Sequence, residues 1–159
     1  MKRGSIIFLR IVISLIGIGT LAAMIRFPLT EGRAANLDLF SIYRDPLIAY
    51  MYLASVPFFV ALYQAFKLLG FIGQNKVFSL SSVKALRTIK YSAIILSVLI
   101  IAAVLYIRIF HNKDDDPAGF VVVGTLATFV SATFATAAAV FERLLQNAVD
   151  IKSENDLTV

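Results

Sequence analysis

The densest set of ligand-type side chains lies in one short turn, from His111 to Pro117, where an imidazole is followed by Asp114, Asp115 and Asp116. Hard divalent cations take oxygen ligands, so this turn could hold one. Consecutive carboxylates in a turn more commonly form a solvated acidic loop that also resists crossing a bilayer, and that reading is adopted here. No metal and no cofactor is expected.

Elsewhere the reactive inventory is thin. The chain has no cysteine, which removes disulfides, thiol catalysis and thiolate metal sites together. It has one histidine, no paired acids at membrane depth, no phosphate-cradling Gly loop and no Ser beside a recognisable base. No catalytic residue is expected, and the chain is not read as an enzyme. A transporter, channel or immunity-type protein is the alternative class. Ion transport normally leaves ionisable groups within the membrane, whereas here Gln64 and the hydroxyls of Thr125, Thr128, Ser131 and Thr136 would have to line a path formed by an oligomer.

A different kind of signal comes from Lys67 to Tyr91, which carries Lys67, Lys76, Lys84, Arg87 and Lys90 without one Asp or Glu. A short basic connection between apolar segments marks a cytoplasmic loop, because Lys and Arg resist translocation and orient the segments beside them. That assignment sets the direction of the whole chain. The net charge of +5 then follows from insertion bias, and direct nucleic-acid binding is not expected.

The elements around this loop are hydrophobic. At 59% hydrophobic residues over 159 positions, and with a mean hydropathy of +0.83, the chain is too apolar for a soluble domain. Four spans are expected, over 5–25, 47–69, 91–110 and 119–141. The fold class is an all-α integral membrane protein, a four-transmembrane-helix bundle in one membrane domain over 1–159. Both termini lie inside, and 142–159 forms a cytoplasmic helix and tail.

The first span carries Arg10, which can snorkel to the inner headgroups, and a retained helix is favoured over a cleaved signal peptide. The outer loop, Arg26 to Pro46, is balanced in charge, with Leu37, Leu39, Phe40, Ile42 and Tyr43 apolar enough to rest on the bilayer or cap the helices. Pro57 predicts a kink in the second span, where it frees the carbonyl of Leu53. Gly70 and Gly73 are expected to end that helix, and Ser79, Ser81 or Ser82 to cap the next. From Val83, an apolar series Val83, Leu86, Ile89 runs beside the basic series Lys84, Arg87, Lys90, an amphipathic entry to the third span suited to anionic lipid.

In the fourth span, Gly124, Thr128, Ala132 and Thr136 recur every fourth residue, with Ser131, Ala135 and Ala139 alongside. Small residues let membrane helices approach closely, so this helix is expected to be the packing centre of the bundle or of a homo-oligomer. The helical pattern continues past the membrane through Phe141, Leu144, Leu145, Ala148 and Ile151, opposite Glu142, Arg143, Gln146, Asn147 and Asp150.

Several stretches resemble a bacterial membrane family catalogued as domain of unknown function 2975. They are Val56-Pro57-Phe58-Phe59, Tyr63 to Leu69, Asn75 to Ser79, Val83 to Leu86, Asp115 to Gly119, Leu144 to Ala148 and Lys152 to Val159. The resemblance implies a small multi-span protein of unassigned activity, and the chain is expected in the bacterial inner, cytoplasmic membrane. It also implies a partner class, since genes of this family often sit beside one for a small helix-turn-helix regulator. On that reading the contacts are Lys84, Arg87, Lys90, Asp150, Glu154, Asn155 and Asp156, with the bilayer as the other partner. A reporter fused after Val159 should be active on the cytoplasmic side. Activity confined to the periplasm or medium would reverse the orientation.

Overall fold

Apolar runs of this length in a chain without water-exposed partners fold as helices, because only a helix satisfies every backbone group within its own segment. The computed structural model describes residues 3–30, 38–110 and 116–157 and consists there of five helices: α1 (Arg3–Thr30), α2 (Leu39–Tyr43), α3 (Pro46–Gly73), α4 (Leu80–Phe110) and α5 (Ala118–Leu157). All but α2 are long and apolar enough to cross a membrane. His111 to Asp115, which include most of the acidic turn, and 31–37 of the outer loop lie outside the described residues.

The helices are longer than their apolar cores. α1 runs through Pro28, where the sequence suggested a loop from Arg26, and closes at Thr30, whose hydroxyl donates to the carbonyls of Arg26 and Phe27 at 3.3 and 3.1 Å. α3 runs through Pro57 and past Gly70 to Gly73. It ends in a Schellman turn built on Asn75, the one non-glycine residue with positive φ among those described (56°), with Lys76 N–H donating to the Phe71 carbonyl at 2.8 Å and Asn75 N–H to Ile72 at 3.2 Å. Neither Gly70 nor Gly73 adopts the left-handed conformation.

Ser79 then begins α4. Its Oγ accepts from Ser82 N–H at 3.4 Å, while both serine hydroxyls donate to the Lys76 carbonyl, at 2.7 and 3.1 Å. The basic stretch is therefore mostly helix: only 74–79 is turn, and Lys67, Lys84, Arg87 and Lys90 all stand on helices.

At the opposite end, two helices start with the same device. Asp45 accepts from Leu47 N–H at 2.7 Å with Pro46 as first helical residue, and Asp116 accepts from Ala118 N–H at 3.0 Å beside Pro117. A carboxylate there fills an orphan donor and complements the positive end of the helix dipole.

The spanning helices pack in the order α1, α3, α4, α5, and no extensive contact joins α1 back to α5. The result is an open row rather than a closed ring of four. Between α1 and α3 the register runs from Ile6 beside Gly73 through Arg10 beside Gly70 to Gly17 beside Leu62. The short α2 caps this pair, burying Ile42 while Phe40 stays exposed.

The α4–α5 contact is the tightest of the row. Its α5 face is Gly124, Ser131, Ala135, Ala138 and Glu142, all buried, with Thr128 half-buried. Ala132 and Thr136 are exposed. A four-residue repeat advances about 40° per step on a helix of 3.6 residues per turn, so a stripe that begins on the interface at Gly124 has left it by Ala132. Residues alternating by three and four stay on it.

A side chain at Gly124 would collide with a Val104 methyl. Gly124→Val should lower thermal stability of the detergent-solubilised protein by about 1–3 kcal/mol, and Val104→Ala in the same chain should restore part of the loss.

Candidate functional site

Polar groups inside an apolar helix row must find partners within it, and the described residues show where they do. Pro28 has no N–H to give the carbonyl of Met24, four residues earlier, and that carbonyl accepts instead from the Tyr52 hydroxyl of α3 at 3.1 Å. Tyr50 donates from α3 to the Leu99 carbonyl of α4 at 2.7 Å. Ser131 of α5 and Ser97 of α4 both donate to the Ala93 carbonyl, each at 2.9 Å. Tyr52, Tyr50 and Ser131 thereby tie α3 to α1, α3 to α4 and α5 to α4.

Beyond Ser131, toward the α3–α4 hairpin, the interface changes from hydroxyl to charge. Glu142 of α5 is buried, with a side chain 10% exposed, and receives two cations from α4: Arg87 Nε at 2.7 Å on Oε1 and Lys90 Nζ at 2.6 Å on Oε2. Each carboxylate oxygen has its own charge-assisted donor. Lys90 is 20% exposed and also lies over the Tyr91 ring at 4.6 Å, whereas Arg87 is 54% exposed. One negative and two positive charges leave the cluster with net +1.

This arrangement recasts the basic stripe. Lys84, Arg87 and Lys90 do share one end of α4, but Arg87 and Lys90 are engaged by Glu142, and Lys84 is the exposed residue one turn before Arg87. Asp150, Glu154 and Asn155 are exposed on the last turns of α5, Gln146 donates to Asp150 at 2.8 Å, and the helix backbone continues through Asp156. Asp150 is thus engaged on its own helix, while Arg87 and Lys90 are engaged by Glu142.

Glu142 was not singled out from sequence. Its signal was its register: it continues the interface series from Ala135 and Ala138, and faces a basic stripe on a helix that carries no acid of its own.

The hydroxyls that could have lined a path are mostly turned onto backbone. Thr125, Thr128 and Thr136 donate to the carbonyls of Val121, Gly124 and Ala132 on their own helix, and Ser131 donates to α4. Thr125 and Thr136 are exposed while Ser131 is buried, so the four do not share one face. No group of three or more His, Asp or Glu that could hold a metal occurs among the described residues.

Residues 28–159 match the family model described as protein of unknown function, DUF2975. The chain belongs to this family. It is also similar over its whole length, 45% identical across 161 residues and covering 100% of both chains, to the uncharacterized membrane protein YoaS of Bacillus subtilis (strain 168). No solved structure matches. The family match spans α3, α4 and α5 with both partners of the Glu142 cluster, and reaches α1 only at its last turn.

Removing the charge at Glu142 leaves Arg87 and Lys90 facing each other without a counter-ion. Glu142→Gln should therefore destabilise the detergent-solubilised protein by roughly 1–3 kcal/mol, less than a fully buried pair because Arg87 is half exposed. A double-mutant cycle with Lys90→Met, read by thermal unfolding, should give a non-zero coupling. Additive losses would show that the cluster is not a stabilising contact.

Proposed function

We propose that this membrane protein is an interaction protein that holds a cytoplasmic helix-turn-helix regulator, the partner class implied by its family resemblance, on the face where α4 begins and α5 ends. The reading is supported above all by the length and surface of α5. At 40 residues it is about 60 Å long, roughly twice a hydrocarbon core. In this reading both termini and the end of α5 are cytoplasmic.

On the projecting part, Phe141, Leu144 and Ile151 are each about 60% exposed along one apolar stripe, flanked by exposed Asp150, Lys152 and Glu154. An apolar stripe bordered by charge, on a helix emerging into water, is the form that helix-in-groove recognition uses. The acid-bearing end of α5 and exposed Lys84 provide the charged rim, while Arg87 and Lys90, held by Glu142, fix the angle at which α5 leaves the membrane. Sequestration at the membrane would keep the regulator from DNA.

Full-length protein in nanodiscs should retain the purified regulator. Truncation after Ala148, or Leu144→Glu with Ile151→Glu, should weaken retention by about tenfold or more, as expected when anchor residues of a helix stripe are lost. Unchanged retention by both variants would exclude α5 as the docking element.

A further inference from the structure

Arg10 is a cation that meets no carboxylate among the described residues. It stands on α1 with its guanidinium over the Phe66 ring of α3 at 5.0 Å, and its Nε is buried with no hydrogen-bond partner. Beside it, a Cβ at Gly70 would come within 2.8 Å of the Arg10 terminal nitrogen, so the missing side chain of Gly70 is what makes room for the guanidinium. The aromatic platform and the glycine gap together form a seat.

Among the described residues, the helices that meet at this seat supply no acid. α1, α3 and α4 contain no Asp or Glu at all, and the buried acid of α5, Glu142, is occupied by Arg87 and Lys90 on a helix that does not pack on α1. The last turn of α3 lends partial negative charge from its dipole. That eases the charge but leaves the Nε–H without an acceptor.

Depth points to the source of the missing anion. A helix of 28 residues is about 42 Å long against a core of about 30 Å, so roughly 6 Å, or about four residues, emerges at each end. Gly70 is three residues from the end of α3 and therefore lies at the boundary where phospholipid phosphates sit.

We propose that Arg10, Phe66 and Gly70 form a phosphate-binding seat between α1 and α3, occupied by the headgroup phosphate of an anionic phospholipid from the adjacent leaflet. The guanidinium fork grips the phosphate oxygens, Phe66 holds the fork's plane, and the acyl chains run toward the membrane interior along the exposed apolar surface of α1 beyond Arg10, including Ile11, Leu15 and Ile18.

The test is native mass spectrometry of the full-length protein released from detergent with phosphatidylglycerol, with inorganic phosphate as the second arm. Wild type should retain one phosphatidylglycerol, and Arg10→Gln should lower its occupancy about tenfold, the scale of one charged hydrogen bond. Gly70→Val keeps the charge but fills the seat, and should weaken retention several-fold even where Arg10→Gln disturbs folding. Equal retention by wild type and both variants would overturn the site. Inorganic phosphate displacing the lipid at equal concentration would overturn the lipid assignment.

Discussion

The α4–α5 contact depends on one carboxylate. Glu142 is buried on a helix face made otherwise of small residues, glycine, alanine, serine and threonine, and it receives a separate cation on each oxygen. A charge buried without partners costs several kcal/mol, so the face can close only if Arg87 and Lys90 arrive with it. The same requirement fixes the axial register of the two helices. Sliding α5 by one turn, about 5.4 Å, would take Glu142 away from at least one of its two cations and drive a side chain into the gap that Gly124 leaves for Val104. Small residues permit the close approach, and the ion cluster selects one position among those they permit.

A second constraint acts on neutral groups. Lipid offers no hydrogen bonds, so the carbonyl that Pro28 leaves at Met24 had to be met from another helix, and Tyr52 reaches it. The Ala93 carbonyl of α4 likewise accepts from Ser131 of α5, and also from Ser97 on its own helix. These contacts recur along the row wherever two helices meet, α1 with α3, α3 with α4, and α4 with α5.

Because the row is open, α1 and α5 each bury one side against a spanning neighbour and expose the other. Within the membrane those outer faces are apolar, as Phe129 and Phe134 on α5 illustrate, and lipid covers them without further design. The consequences appear only at the ends of the row. There α1 holds Arg10 against a glycine gap, and α5 continues past the start of α4 with its apolar stripe uncovered.

How much of this was legible beforehand follows from which physical effects are local. Four apolar segments, the amphipathic start of α4 and the helical continuation after Phe141 all follow from periodicity and composition, which act within a single segment. The basic stretch from Lys67 to Tyr91 stands out by composition alone. What lay beyond the sequence was pairing between segments. The four-residue series through Gly124 suggested an interface, but only a partner helix could decide that the face drifts from Thr128 to Ser131 and leaves Ala132 and Thr136 exposed. Arg87 and Lys90 looked like free surface cations because their counter-ion lies more than fifty positions away. Gly70 looked like a helix end, while the turn was closed by Asn75 and the missing side chain served Arg10 instead. Helix formation is written in neighbours along the chain, whereas charge neutralisation and close packing are settled between residues that only the assembled row brings together.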